Sequence, residues 1–220
     1  MRCERLFIYV KLLIEKMKYS REYIIRRAFD VFMDKGYDSA SITVLQTELN
    51  MSRGAMYRYF KNKDELFRSV IDIYFFRFFN RLKNEPVENE TIKNYIDSIH
   101  RRQKLLLSMF TRAGVTHTVF MNYTALMIQA VKHYPDFLIR FKEIQKSLLD
   151  NWKKALQNSI NAGEIRDDLD IDIMASLFNN ISLKESSADE YEDSKFAINV
   201  LKEMDRRKDV LDYLYNLIKL

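Results

Sequence analysis

Between Ser20 and Lys35 the apolar positions Ile25, Ala28, Phe29 and Phe32 fall three and four residues apart, the spacing that aligns one face of an α-helix. Ser20 is placed to cap that helix and Gly36 to follow its end. After the polar connector YDSAS, Ser41 can cap a second helix with Ile42, Leu45 and Leu49 on its buried side. Asn50 falls where the chain must turn, and asparagine tolerates left-handed backbone angles. Ser52 can cap a third helix, Arg53 to Phe60. Asn62 can cap a fourth that starts KDELF, with Asp64 and Glu65 near its positive end. Short helices joined by a tight turn are the outline of a helix-turn-helix. The fourth helix is expected to run on through Phe75, Phe76, Phe78 and Phe79 to about Lys83, up to the polar stretch NEPVENE.

Further on, apolar stripes predict helices over Thr91–Ala113, His117–His133, Pro135–Ala162, Ile171–Leu183 and Ser194–Leu220, punctuated by Gly114, Pro135 and Gly163. Lys208 interrupts the last stripe, and SSADEYED at 186–193 reads as an exposed acidic loop. Only four glycines and two prolines occur in 220 residues, which leaves long unbroken segments and predicts an all-α fold. The expected organisation is an N-terminal extension over 1–18, a three-helix helix-turn-helix domain over 19–67, and a larger C-terminal helical bundle over 68–220. The run LFIYVKLLI within the extension is interrupted by Lys11 and lacks a small-residue cleavage site, so it reads as a helix rather than a signal peptide. An alternative is that translation starts at Met17.

Composition sharpens this. Apolar residues are 47% and charged residues 30% of the chain, a globular balance. No apolar run approaches the ~20 residues that span a bilayer, so no membrane partner is expected. A single cysteine, Cys3, rules out an internal disulfide and a cysteine-based zinc site, and fits a reducing, cytoplasmic setting. The three histidines, His100, His117 and His133, are scattered, and the four glycines are isolated. No metal site, cofactor or catalytic constellation follows from them, and an enzyme is not expected. The net charge is +5, and its distribution is uneven. Ten basic side chains face seven acidic ones over Met17–Arg68, whereas two basic face nine acidic over Ile165–Asp193. The first region can approach an anion that the second should avoid.

The chemistry concentrates in LQTELNMSRGAMYRYFKNKDELF. Gly54 and Ala55 open the third helix with almost no side chain, so its backbone can come close to a DNA groove. Arg53 and Met56 are base-edge candidates, and an arginine bonded to guanine O6 and N7 discriminates by ~1–3 kcal/mol. Tyr57 and Tyr59 offer hydroxyls, and Lys61 and Lys63 charge, to phosphate oxygens. Ser41, Thr43 and Ser52 can donate to the flanking backbone. Phe60 reads as core.

This segment, from the Gly-Tyr after helix one through Ser-x-Gly-Ala-x-Tyr to Tyr-x-Tyr-Phe-Lys-x-Lys-x-x-Leu, resembles the DNA-binding segment of the TetR family of bacterial transcriptional regulators. The resemblance covers roughly Tyr19 to Phe67. It implies a homodimer that binds a double-stranded DNA operator, and phosphate roles for Ser41, Tyr57, Tyr59 and Lys61. Leu49-Asn50-Met51 stands where many relatives have Ala-Gly-Val, and Gln46 where a small alanine is common. The resemblance also implies a C-terminal domain that takes a small apolar effector. Met109, Phe110, Phe120, Met121, Met127, Trp152 and Phe178 are the candidate lining, with His117, Tyr123 and Gln129 as polar groups. Segments Asp170–Leu183 and Ser194–Leu220 are expected to pair with their copies. The expected function is a ligand-released repressor. An activator, a ligand-independent regulator, or a helical adaptor or enzyme with an incidental helix-turn-helix are the alternatives.

Overall fold

A computed structural model describes residues 19–77, 79–80, 87–112, 116–183 and 196–220. The predicted N-terminal extension, the far end of the fourth helix and the acidic loop at 186–193 lie outside the described residues. The described residues form helices α1 (Arg21–Ser39), α2 (Ile42–Glu48), α3 (Arg53–Tyr57), α4 (Lys63–Ile71), α5 (Ile92–Arg112), α6 (His117–His133), α7 (Phe137–Asn161), α8 (Ile171–Leu183) and α9 (Phe196–Ile218). A π-helical turn, Asp72–Phe76, continues α4. The fold is all-α.

Each cap read from the sequence is made. Ser20 Oγ accepts from Tyr23 N–H, Ser41 Oγ from Val44 N–H, Ser52 Oγ from Ala55 N–H and Asn62 Oδ1 from Glu65 N–H, at 2.8–3.2 Å. Each supplies an acceptor that the first helical turn lacks. Asn50 adopts φ 51°, the left-handed turn its residue type allows. Two boundaries differ from expectation. Helical residues resume after Gly36 and run to Ser39, but Gly36 itself (φ 72°, ψ 169°) is non-helical and kinks α1, so the break falls where predicted. α3 ends at Tyr57 rather than Phe60. Tyr59 N–H and Phe60 N–H both donate to the Met56 carbonyl, a tightened turn that sends Phe60 inward.

The chain divides into two compact units. One comprises described residues 19–77 together with 121–137. Its interior holds Ile24, Ile25, Ala28 and Phe32 of α1, Leu45 and Leu49 at α2, Phe60, and Leu66, Phe67 and Val70 of α4. Phe32 meets Phe67 edge to face at 5.1 Å between ring centroids, and Phe137 lies 5.2 Å from both Phe75 and Phe76.

The second unit comprises the described residues of 79–120 and 138–220. Its core gathers Ile92, Tyr95 and Ile96 of α5, Trp152, Ala155 and Leu156 of α7, Ala175 and Phe178 of α8, and Leu211 and Ile218 of α9. Ser159 Oγ, fully buried, accepts from Ile92 N–H at 2.7 Å and so caps α5 from a distant helix. α5 and α9 are also tied by charge: Lys93 to Asp212 at 2.8 Å, Lys208 to Asp97 at 3.1 Å, and Lys104 to Asp205 at 2.9 Å. Lys208 therefore interrupts the apolar stripe of α9 because it sits between two carboxylates, Asp97 and Asp212.

Candidate nucleic-acid interface

α3 is one and a half turns long, and its few residues divide sharply between two faces. At 100° per residue, Arg53 and Tyr57 lie on one side, with Gly54 and Arg58 adjoining them. All four are exposed, Tyr57 by 41%. The Arg53 guanidinium stands 5.7 Å from the centre of the Tyr57 ring, a cation–π pair one turn apart. The opposite side carries Ala55 and Met56, 3% and 2% exposed.

Gly54 is the unusual position. A Cβ built there would meet no heavy atom within 4 Å. Nothing in the chain's own packing requires a glycine at this place, and a glycine in a helix is less favourable than alanine by roughly 0.8–1.0 kcal/mol. The front of α3 is thus bare toward the outside. Ser41 and Thr43 at the start of α2, Ser52 before α3 and Lys61 after it are exposed. With Arg53, Gly54 and Tyr57 they are the exposed candidate residues of one compact unit.

Four expectations need correction. Met56, expected as a base-edge candidate, is a core residue: it lies 60° behind Arg53 on the helix, enough to turn it inward. Ala55 is small because it packs inward, not because it faces a groove. The Tyr59 hydroxyl, expected on a phosphate, donates to the Tyr19 carbonyl at 2.6 Å. The Lys63 ammonium, expected there too, donates to the Tyr37 carbonyl at 2.9 Å and lies 3.9 Å from that ring's centre.

The supports of this surface are not visible in the sequence. Tyr19 is 5% exposed, donates its hydroxyl to the Asn50 carbonyl at 2.5 Å and accepts from Tyr59, so it braces the turn from beneath. Arg21 donates to the Tyr59 carbonyl at 3.1 Å and covers the Phe60 ring at 4.5 Å. These partners are separated by 31 to 40 residues, beyond the reach of any local pattern. Gln46, Thr47, Asn50, Met51 and Ser52 line an open cleft of about 390 Å³ at the turn. The Gln46 amide nitrogen is buried with no hydrogen-bond partner.

The candidate effector residues are dispersed. Trp152 and Phe178 are 1% and 0% exposed and stack on each other at 5.4 Å, so they fill the core of their unit rather than line a space. Met109, Phe120 and Met121 are exposed by 47–56%. His117 and Met127 are half-buried, and Tyr123 donates to the Tyr74 carbonyl at 3.2 Å. The side chain of Phe110 lies outside the described residues. Among the described residues, no helix is long and apolar enough to cross a membrane.

Known proteins are similar to this chain in sequence and in fold. The family model for bacterial regulatory proteins of the tetR family matches residues 24–70, from α1 into α4. An uncharacterized HTH-type transcriptional regulator of Bacillus subtilis, YuxN, is 37% identical over 75 residues. That match covers 34% of this chain but only 26% of YuxN's length. The HTH-type transcriptional repressor AcnR of Corynebacterium diphtheriae is 25% identical over 160 residues, 72% of this chain and 75% of that protein. In three dimensions the chain resembles SmeT, the repressor of the Stenotrophomonas maltophilia multidrug efflux pump SmeDEF. Its complex with triclosan superposes with a TM-score of 0.56 at 17% identity, over 91% of each chain.

Proposed function

The chain belongs to the TetR family of bacterial regulatory proteins, and from that premise we propose that it is a homodimeric repressor which leaves its DNA operator when a small apolar effector binds. The observation that carries the DNA-reading part is Gly54. A side chain there would fit inside the free protein, so the bare helix front has no internal reason. It has an external one, since a backbone pressed into a major groove leaves no room for a Cβ. Arg53 then reads a base edge beside it. Tyr57 and Lys61, with Ser41 and Thr43, fix the register by donating to phosphates.

The dimer reading rests on α8 and α9. Ile173 and Leu177 of α8, and Ile198, Tyr213 and Leu217 of α9, are exposed by 44–66%, a large apolar area to leave in water. A two-fold pair would cover it and would set two α3 helices one DNA turn, or a multiple, apart. The effector reading rests on the exposed methionines and aromatics of α5 and α6, and on SmeT's structure with triclosan. Binding that favours a mismatched spacing of the two reading heads would release DNA by population shift.

The test is selection of duplexes from a random library. The expected product is a two-fold-related site whose affinity falls steeply with salt, because several phosphates are neutralised at once. A protein that enriches no sequence, or binds with no salt dependence, contradicts the reading.

A further inference from the structure

The reading unit is built from two stretches of chain. Residues 121–137, mostly α6, return to it from the middle of the sequence. At one corner this return is unusually intimate. Gly36 breaks α1 in a backbone region open essentially to glycine alone, and a Cβ placed there would lie 2.9 Å from Gln129 Nε2. The break leaves the Tyr37 N–H without a helical acceptor, and Gln129 Oε1 takes it at 2.6 Å. The side chain of α6 thus replaces a backbone carbonyl of α1. One turn further along α6, the His133 ring lies flat on Tyr37, with centroids 3.8 Å apart and planes at 24°. Its Nε2 is 3.5 Å from the Asp38 carboxylate.

Tyr37 passes this grip onward. Its hydroxyl donates to Asp64, its carbonyl accepts from Lys63, and its ring meets Phe67 edge to face at 4.7 Å. Burial first, and then the Asp64 bond, push the Tyr37 phenol above its ordinary value, so it remains a neutral donor. The corner at Gly36–Asp38 therefore joins the end of α1, the start of α4 and the face of α6, just ahead of the Ser41 cap of α2.

We propose that Gln129 and His133 are positioning residues for DNA reading: α6 holds the Gly36–Tyr37 corner, and through it the angle at which α2 and α3 are presented. Neither residue touches DNA. This rests on the DNA-reading function proposed above.

The experiment compares Gln129→Leu, which removes the acceptor, with Gln129→Glu, which keeps an acceptor oxygen. Affinity is measured for a duplex selected by the wild-type protein and for an unrelated duplex of equal length. Amide exchange is followed at Tyr37 and over residues 41–60. Gln129→Leu is expected to lose about tenfold or more on the selected duplex while the unrelated duplex changes by less than about twofold, with faster exchange at both places. Gln129→Glu is expected to recover most of both. Selected-duplex affinity unchanged by Gln129→Leu, or a parallel fall on both duplexes, overturns the proposal. If the wild-type protein selects no duplex, the DNA-reading function fails. The exchange data then decide the positioning role alone, and unaltered exchange in Gln129→Leu overturns it.

Discussion

Gly36 and Gly54 are eighteen residues apart and are glycines for opposite reasons. At Gly36 the fold itself demands the residue: φ is +72°, and the Gln129 amide occupies the space of a Cβ. At Gly54 the backbone is ordinary helix and the surrounding space is empty. The first glycine is explained by contacts inside the molecule. The second has no such contact, and the DNA proposed to lie against it would supply the reason. A crowded glycine speaks of architecture, and an uncrowded one in an exposed helix speaks of a partner.

The sharpest way to test this contrast is to load both positions. Gly36→Val places a β-branched residue where φ is positive and forces Gln129 away, and it is expected to cost about 3 kcal/mol of stability. Denaturant unfolding checks it, and because Gln129 is displaced from Tyr37, the folded fraction should also lose selected-duplex affinity, as Gln129→Leu does. Arg53→Ala acts on the outer face instead. It is expected to leave the melting temperature unchanged and to lose about 1–3 kcal/mol on the selected duplex, with relaxed preference at one base pair of each half-site. Titrations against single-base variants of the site measure that.

The bundle of α5 and α9 supplies a control in the other compact unit. Burial alone would push the Asp97 and Asp212 carboxyls up. Hydrogen bonds from Lys208 and Lys93 outweigh it and hold both below the usual carboxylate range. A folded-state pKa below the unfolded one gives stability that is present above the ordinary carboxylate pKa and lost as pH falls through the folded one. Thermal stability is therefore expected to fall in acid below about pH 4. Asp97→Asn should flatten that dependence, at a cost on the order of 1 kcal/mol at neutral pH. The smallest effect is expected from Lys61→Ala. It should weaken selected and unrelated duplexes alike and lower the slope of log affinity against log salt by about 1 per site.

Much of the fold is legible in the sequence. The limits of α6 and α8, and the caps at Ser20, Ser41, Ser52 and Asn62, follow from local spacing and from side chains that reach only three residues ahead. The outward set of Arg53, Gly54 and Tyr57 is legible for the same reason. Met56 is not, because a helix this short gives periodicity too few repeats to fix a face. Tyr59 and Lys63 are not, because tyrosine and lysine look alike in sequence whether they meet a phosphate or a carbonyl, and their carbonyls belong to Tyr19 and Tyr37. The role of Gln129 at Gly36 spans more than ninety residues, and no local pattern carries it. Whether Trp152 and Phe178 are apolar lining or apolar core is decided only by what packs on them: each other, Tyr95 on Trp152, and the core cluster they share.

The central claim is that the front of α3 is bare because DNA lies against it. Its most direct measurement pairs the melting temperature of Gly54→Leu with its affinity for the selected duplex. The account predicts a melting temperature equal to or above wild type, since leucine is the better helix former, and an affinity lower by at least about tenfold, or 1.4 kcal/mol. Affinity equal to wild type in a folded Gly54→Leu protein would contradict it.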